Sequence, residues 1–157
     1  MTHFVKKIIS GGQQGADRTA LEVARENNIP TGGTAPKGFR TEEGFDHTLR
    51  QFGLVPHESS TYPPRTLSNV LEADGTVLFG DMGSHGSLLT LRLCKEHEKP
   101  CLTNPDPETL LRWIEHEGIK ILNVAGNRKS TNPDICAIVR NCLEGAIKLH
   151  KERTSTS

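Results

Sequence analysis

The stretch from Ile8 to Asp17 constrains the fold of this chain more than any other part of it. It reads Ile-Ile-Ser-Gly-Gly-Gln-Gln-Gly-Ala-Asp, a pattern typical of a buried strand that passes through a glycine-rich turn into a helix. Glycine permits positive φ angles, and the first turn of a helix directs unpaired N–H groups and a positive dipole end outward. The stretch therefore predicts an anion site, with a purely structural strand-to-helix turn as the alternative.

Apolar runs and helical patterns alternate along the rest of the chain. After a first helix over about 19–28, the pattern predicts strands at 31–36, 54–55, 76–79, 100–103 and 120–124. It predicts helices at about 42–52, 66–73, 87–97 and 106–118 and a terminal helix from residue 132, with 58–65 as a loop and with Thr41 and Thr66 as N-caps. This order predicts an α/β fold, a Rossmann-like three-layer sandwich with a mostly parallel sheet and helices on both faces.

The length of 157 residues suits one domain that buries about two-thirds of its unfolded surface. We expect this single domain over residues 1–150. The polar residues 151–157 are expected to form a disordered, frayed tail.

The charges of the chain argue against a nucleic-acid or membrane partner. Lysine and arginine together number 19, equal to aspartate plus glutamate, so the chain lacks the overall basic character of such binders. No apolar stretch is long enough for a signal peptide or a bilayer span. The four cysteines have no C-x-x-C spacing, which favours reduced thiols. Together these observations predict a cytoplasmic protein.

A second glycine-rich loop, residues 80–87, also separates a buried strand from a helix. Because ligands of parallel α/β sheets bind at the carboxyl ends of the strands, we expect both glycine loops, Arg40, Arg65 and the 123–129 loop to line one cleft. Lys37 stands near the position where a dinucleotide fold has a ribose-binding acid. This disfavours NAD and favours a ligand with phosphate near Lys37 or Arg40, with solvated surface as the alternative. No Walker A sequence occurs.

Several polar or reactive residues have a structural interpretation. His85 is expected to be a polar loop residue, because the seven histidines form no ligand-spaced pair, and no metal site is predicted. The four cysteines are expected to be small core residues. Asp17 is expected to cap the first helix, with a bond to a ligand hydroxyl as the alternative.

The first glycine loop and several later motifs resemble the family of molybdenum cofactor carrier proteins. In chain order, the motifs are residues 8–17, 33–44, 62–66 with 69–70, 74–76 and 86–90. The likeness covers about residues 5–127, and several motifs in the same order are more specific than any one of them. Gln14 and Ser87 depart from the family, since both stand where threonine is expected. Gln14 removes a hydroxyl beside the expected phosphate site, whereas Ser87 keeps one.

The resemblance implies a Rossmann-like homotetramer that binds molybdenum cofactor as cargo, protects it and delivers it without catalysis to molybdoenzymes such as nitrate reductase. This cofactor is a pterin with a terminal phosphate and an oxygen-sensitive dithiolene–molybdenum centre, so its carrier needs an anion cradle and a sheltered cleft. The implied binding residues form three sets. They are the first glycine loop with its backbone N–H groups (Gly11, Gly12, Gln13, Gln14, Gly15, Ala16 and Asp17), the cations Lys37, Arg40 and Arg65, and a set for molybdenum oxo groups or a second anion (Ser84, Gly86, Ser87 and Thr90).

The wider superfamily is also similar to nucleoside monophosphate phosphoribohydrolases, which gives a competing enzyme interpretation. In those enzymes the second loop has the pattern Gly-Gly-x-Gly-Thr-x-x-Glu, and the glutamate acts on the ribosyl transition state. Thr90 stands where this glutamate belongs, and threonine can neither ionise nor act as the base. The sequence therefore favours a carrier over a hydrolase. A nucleotide-sensing binding module and a scaffold with an empty cleft are further alternatives.

Overall fold

The computed structural model describes residues 3–155, in which a six-stranded sheet carries helices on both faces. The six strands of this sheet are β1 (Lys7–Ile9), β2 (Thr31–Ala35), β5 (Leu54–Pro56), β6 (Gly75–Phe79), β7 (Cys101–Thr103) and β8 (Ile121–Gly126). Two further strands, β3 (Arg40–Thr41) and β4 (Gly44–Phe45), form a separate hairpin. The helices are α1 (Ala16–Glu26), α2 (Tyr62–Glu72), α3 (His85–Glu96), α4 (Pro107–Glu117) and α5 (Ile135–Ser155). Two 3₁₀ helices span Lys37–Phe39 and His47–Phe52.

All neighbouring strands of the sheet run parallel, in the order β5-β2-β1-β8-β6-β7. The predicted α/β architecture with a parallel sheet is confirmed, and β5 and β7 are the edge strands. Because β8 lies between β1 and β6, the loops that follow these three strands meet at one edge of the sheet. This edge is where ligands of parallel sheets bind.

The larger hydrophobic core lies between the sheet and helices α1, α4 and α5. Leu110 and Leu143 of these helices are fully buried in one cluster with Val124 of the sheet. Burial of one such leucine stabilises the fold by about 1.5–3 kcal/mol. A smaller cluster that contains Val70 and Leu93 packs α2 and α3 together. The core therefore fixes the sheet and leaves the strand ends to the loops.

The segment between β2 and β5 differs from the helix predicted over 42–52. It forms the β3–β4 hairpin followed by the 3₁₀ helix His47–Phe52. Thr41 closes the hairpin, because its hydroxyl donates to the Gly44 carbonyl oxygen at 2.8 Å instead of capping a helix. Asp46 caps the 3₁₀ helix by accepting a bond from the Thr48 amide. These local side-chain bonds compete with a continuous helix.

Helix α2 begins at Tyr62, inside the segment that the sequence predicted as a loop. Pro63 and Pro64 occupy its first turn, where the missing N–H groups cost no intrahelical hydrogen bond. Thr66 therefore lies within the helix rather than at its cap, and its hydroxyl donates to the Tyr62 carbonyl oxygen at 3.1 Å. The earlier start brings Tyr62 and Arg65 to the edge where the loops meet.

The last two helices show one confirmed prediction and one correction. Helix α4 agrees with the helix predicted at about 106–118, and in the structure Asp106 caps it and Gly118 ends it in a left-handed conformation. Helix α5 continues through Ser155, so residues 151–155 are helical and do not form the predicted frayed tail, whereas residues 156 and 157 lie outside the described chain. Across residues 3–155, every helix is too short or too polar to cross a membrane.

Candidate functional site

A cleft of about 390 Å³ lies at the carboxyl ends of β1, β6 and β8. Its walls come from both glycine loops, the first turns of α2 and α3 and the loop after β8. Both glycine loops, Arg65 and the 123–129 loop were expected there, whereas Arg40 does not line the cleft. The volume falls within the range of small-molecule sites. Seven of the predicted site residues line this cleft: Gly11, Gln13, Asp17, Arg65, Ser84, Gly86 and Thr90.

Three amides of the first glycine loop are bonded within the protein. The Gly12 amide donates to a serine hydroxyl two residues earlier at 3.3 Å, and the Gln13 amide donates to Asp17 Oδ2 at 3.2 Å. The Ala16 amide donates to the Asn127 carbonyl oxygen at 3.2 Å. Each backbone amide supplies one donor, so a bonded amide is not free for a ligand. Of the four glycine-loop amides predicted to hold a phosphate (Gly11, Gly12, Gly15 and Ala16), those of Gly12 and Ala16 are therefore not free for a ligand in this conformation.

The glycines of the first loop permit close packing. Gly12 has a φ of 75°, and a Cβ added there would lie 2.7 Å from Leu49 Cδ1, on the side of a buried apolar cluster. The guanidinium of Arg65 lies directly against Gly11, where any side chain would collide with it. The missing side chain of Gly11 thus leaves room for the Arg65 guanidinium, whereas Gly12 permits the turn of the backbone and its packing against Leu49.

Asp17 and Arg65 form a buried ion pair in the wall of the cleft. Arg65 Nη1 lies 3.6 Å from Asp17 Oδ2, and the two side chains are 13% and 5% exposed. Burial raises the pKa of Asp17 and lowers the pKa of Arg65, and each shift is opposed by the charge of the other residue. The predicted capping role of Asp17 is wrong, because Gly15 is the N-cap residue of α1 and has no side-chain cap.

Three guanidinium groups surround the ring of Tyr62 in the wall of the cleft. The guanidinium carbon of Arg128 lies 4.3 Å from the ring centroid, that of Arg65 5.5 Å and that of Arg40 5.6 Å. Cations are attracted to the face of an aromatic ring, so Tyr62 organises this arginine cluster. Guanidinium groups recognise phosphate and carboxylate through paired N–H donors. The cluster can therefore bind an anionic group.

The β3–β4 hairpin is tied to the loop after β8 beside the arginine cluster. Glu42 Oε2 accepts a hydrogen bond from Ser130 Oγ at 2.8 Å and lies 3.9 Å from Arg128 Nη1. On the other side of the hairpin, Gln13 Nε2 donates to the Arg40 carbonyl oxygen at 2.9 Å. These bonds connect the segments that carry the arginines.

Helix α3 begins at the cleft, two residues earlier than predicted. Ser84 is its N-cap, and Ser84 Oγ accepts a bond from the Ser87 amide at 3.2 Å. His85, predicted to be a loop residue, is the first residue of the helix and lines the cleft with Gly86. Within residues 3–155, no protein acceptor bonds the amides of His85 and Gly86. The positive end of α3 therefore offers two donors to an anion.

Asn127 connects the two glycine loops. Its Oδ1 accepts a bond from the Asp81 amide at 2.6 Å, and its Nδ2 donates to the Asp81 carbonyl oxygen at 3.2 Å and to Ser84 Oγ at 3.4 Å. Its own carbonyl oxygen accepts the Ala16 amide. One residue of the β8 loop thus holds the starts of α1 and α3 in fixed positions.

The remaining predicted site residues lie outside the cleft wall. Ser87 is buried behind Ser84, and Ser84 Oγ donates to Ser87 Oγ at 2.9 Å. Gln14 lines a separate groove with Arg18 and Asp46. The full set of predicted residues that do not line the cleft is Gly12, Gln14, Gly15, Ala16, Lys37, Arg40 and Ser87. Arg40 nevertheless reaches the Tyr62 ring.

Sequence reasoning missed several residues of the wall. They are Tyr62, Asn69, His85 and Thr131, whereas Asn123, Asn127 and Arg128 lie in the 123–129 loop that was expected at the cleft but were not singled out. Tyr62 was missed because it falls in the predicted 58–65 loop, although prolines in the first turn are a recognised sign of a helix start. Arg128 lies in a loop that was expected at the cleft, but no pattern in the sequence singles it out.

No group of three histidine, cysteine or acidic side chains within residues 3–155 is arranged to hold a metal ion. Cys94 and Cys142 are buried and the other two cysteines are half-buried, in line with their expected core role. A hydrogen bond with the Cys101 thiol lowers the pKa of Cys94 to about 7. These two thiols lie outside the lining of the cleft.

The sequence profile of the circularly permutated YpsA SLOG family matches residues 8–147. Among solved structures, the "putative molybdenum carrier protein" of Syntrophus aciditrophicus SB is 36% identical, and the match covers 94% of this chain and 98% of that chain with a TM-score of 0.85. An (E)-4-hydroxy-3-methyl-but-2-enyl diphosphate reductase is 15% identical over 89% of this chain and 59% of that chain. Its TM-score of 0.41 supports no argument. No curated protein matches the chain.

Proposed function

The chain belongs to the circularly permutated YpsA SLOG family, and from this premise we propose that it binds molybdenum cofactor as cargo in the cleft beside Tyr62. It protects the cofactor there and delivers it to molybdoenzymes such as nitrate reductase, without catalysis. A solved relative that is 36% identical over nearly the whole chain bears the name of a molybdenum carrier, which supports a molybdenum-related ligand.

The arginine cluster around Tyr62 is the observation that carries this proposal. Arg65 and Arg128 lie on a ring in the cleft wall, and both are themselves part of that wall. Charge-assisted hydrogen bonds from guanidinium to phosphate are about twice as strong as neutral ones. The terminal phosphate of the cofactor is the group that this cluster binds. Leu78, Leu89 and Ala125 supply apolar surface for its flat pterin rings.

The start of α3 supplies a second polar surface in the same cleft. The amides of His85 and Gly86 suit the oxo groups at the molybdenum centre, whereas the Ser84 hydroxyl already donates to Ser87 Oγ. Thr90 contributes less than the sequence predicted, because its hydroxyl already donates to the Gly86 carbonyl oxygen at 2.9 Å. The cleft thus offers separate places for the two anionic ends of the cargo.

The lining of the cleft argues against the hydrolase alternative. A phosphoribohydrolase of this superfamily uses a glutamate, and Thr90 stands in that position. Within the described chain, Asp17 is the only carboxylate that lines the cleft, and it is paired with Arg65. Asp17 Oδ2 also accepts the Gln13 backbone amide, so this oxygen is already occupied within the protein. A homotetramer, as the family resemblance implies, and a cytoplasmic location, as the sequence predicts, complete the proposal.

An anaerobic titration tests this function directly. Purified protein is titrated with molybdenum cofactor and, in parallel, with AMP, while release of free adenine is measured. The proposal expects saturable binding of the cofactor, transfer of the cofactor to an apo-molybdoenzyme and no release of adenine. Cleavage of AMP would identify the hydrolase instead, and tight AMP binding without cleavage or cofactor binding would identify a nucleotide-sensing module.

A further inference from the structure

Gln13 presents a buried oxygen acceptor that no donor of the described residues meets. The residue lines the cleft and is 3% exposed, and Gln13 Oε1 has no hydrogen-bond partner. Buried side-chain acceptors are nearly always bonded, because they lose their bonds to water on burial. An exception in the wall of a ligand site points to a bond that the ligand completes.

The orientation of the Gln13 amide is fixed by a second contact. Gln13 Nε2 donates to the Arg40 carbonyl oxygen at 2.9 Å. A carbonyl oxygen only accepts, so turning the amide over would place two oxygen atoms against each other. The free group of Gln13 is therefore an acceptor, and only an N–H or O–H donor can satisfy it.

Arg65 carries an unpaired donor in the same part of the wall. Arg65 Nε is buried without a partner among the described residues. Arg65 Nη1 lies 3.6 Å from Asp17 Oδ2, and the backbone amide of Gln13 donates to the same oxygen at 3.2 Å. This shared contact places Arg65 and Gln13 side by side. The Arg65 distance exceeds the roughly 2.7–2.9 Å of a tight charge-assisted bond. Arg65 and Gln13 thus present an unpaired donor and an unpaired acceptor in the same part of the wall.

We infer that the cleft selects a ligand that carries an N–H or O–H donor close to a hydrogen-bond acceptor, in addition to its anionic group. Gln13 Oε1 binds the donor, and Arg65 Nε binds the acceptor. The inference rests on the proposed function and narrows it. A pterin has N–H groups next to ring acceptors and fits this pair of atoms. Molybdate at neutral pH presents oxygen acceptors only, so it cannot satisfy Gln13 and is not the cognate ligand.

The test compares Gln13→Met with wild-type protein in anaerobic titrations of molybdenum cofactor and of molybdate. Methionine keeps the length of the side chain and removes the acceptor. We expect the cofactor to bind about tenfold more weakly to the variant, as for one lost hydrogen bond in a buried site, and molybdate affinity to stay the same. Gln14→Met is the matched control, because Gln14 neighbours Gln13 but faces another groove, and it should change neither affinity.

If Gln13 has a purely structural role, Gln13→Met should lower the affinities for cofactor and for molybdate equally, and that result would overturn the inference. Unchanged cofactor affinity in Gln13→Met, or tighter binding of molybdate than of cofactor by the wild type, would also overturn it. If the wild type binds AMP and not the cofactor, the carrier proposal fails by itself. If Gln13→Met then loses affinity for AMP but not for sulfate, the result still supports the binding of a ligand donor by Gln13 Oε1. Binding of none of these ligands would overturn both.

Discussion

The two glycine-rich loops look alike in sequence and differ in what their amides do. Each follows a buried strand and leads into a helix at the same edge of the sheet. In the first loop, the amides of Gly12 and Ala16 are bonded to the protein itself. At the start of α3, His85 and Gly86 line the cleft, and no acceptor among the described residues bonds their amides. The same local pattern is therefore a structural joint in one place and an anion-facing helix start in the other.

The difference shows what a glycine pattern can and cannot predict. Glycine spacing determines the shape that the backbone can adopt, so both strand-to-helix turns were predictable. Whether a donor remains available depends on distant residues, such as Asn127, whose carbonyl oxygen takes the Ala16 amide. We therefore propose the arginine cluster and the start of α3, rather than the first loop, as the anion site.

The largest effect is expected for Arg65→Ala, which removes the partner of Asp17 from the first loop. A buried carboxylate left unpaired destabilises a fold by about 3–5 kcal/mol, and urea unfolding measures this loss. Burial raises the pKa of Asp17, so stability should return as the pH falls through that raised pKa and the carboxyl becomes neutral. Asp17→Asn combined with Arg65→Ala is the control and should recover most of the loss. A loss that is equal at every pH would show that the ion pair does not stabilise this loop.

The second prediction compares one glycine from each loop. Gly12→Ala should destabilise the protein by about 2–3 kcal/mol, because the φ of 75° is unfavourable for alanine and the new Cβ would crowd Leu49. Gly86→Ala meets open space in a helix, so it should be neutral or stabilise by up to about 1 kcal/mol. Thermal unfolding of the pair measures both. Similar losses in the two variants would contradict the structural difference between the loops.

A smaller effect is expected for Ser84→Ala at the second loop. Loss of this N-cap should cost about 1 kcal/mol of unfolding free energy. It should also weaken sulfate binding in a titration, since the cap orients the first turn of α3. Ser68→Ala is a matched control, because the Ser68 hydroxyl bonds only the Pro64 carbonyl oxygen within α2. If Ser84→Ala and Ser68→Ala bind sulfate with equal affinity, the N-cap of α3 does not contribute to anion binding.

The smallest effect is expected for Cys94→Ser, further along α3. Cys94 is packed between α2 and α3 and does not line the cleft. Cofactor affinity should therefore stay the same in the titration described above. A measurable loss of affinity would mean that the role of α3 in binding extends beyond its first turns.

The sequence predicted the sheet, the strand-to-helix turns and the edge that holds the cleft, because these follow from local patterns. It did not predict the β3–β4 hairpin, which depends on Thr41 closing a turn at Gly44. It also missed Tyr62, because the prolines after it were taken as part of a loop rather than as the first turn of α2. The pairing of Asp17 with Arg65 joins residues far apart in the chain, and no pattern in one sequence reports such contacts.

The double role of Asn127 has a consequence for the timing of cargo release. Its side chain holds Asp81 and Ser84, and its carbonyl oxygen holds Ala16, so neither glycine loop can loosen while the other stays in place. Such linked segments open as one cooperative unit with a single opening free energy. Under the proposed function, a recipient protein that disturbs either glycine loop would therefore loosen both and release the cargo.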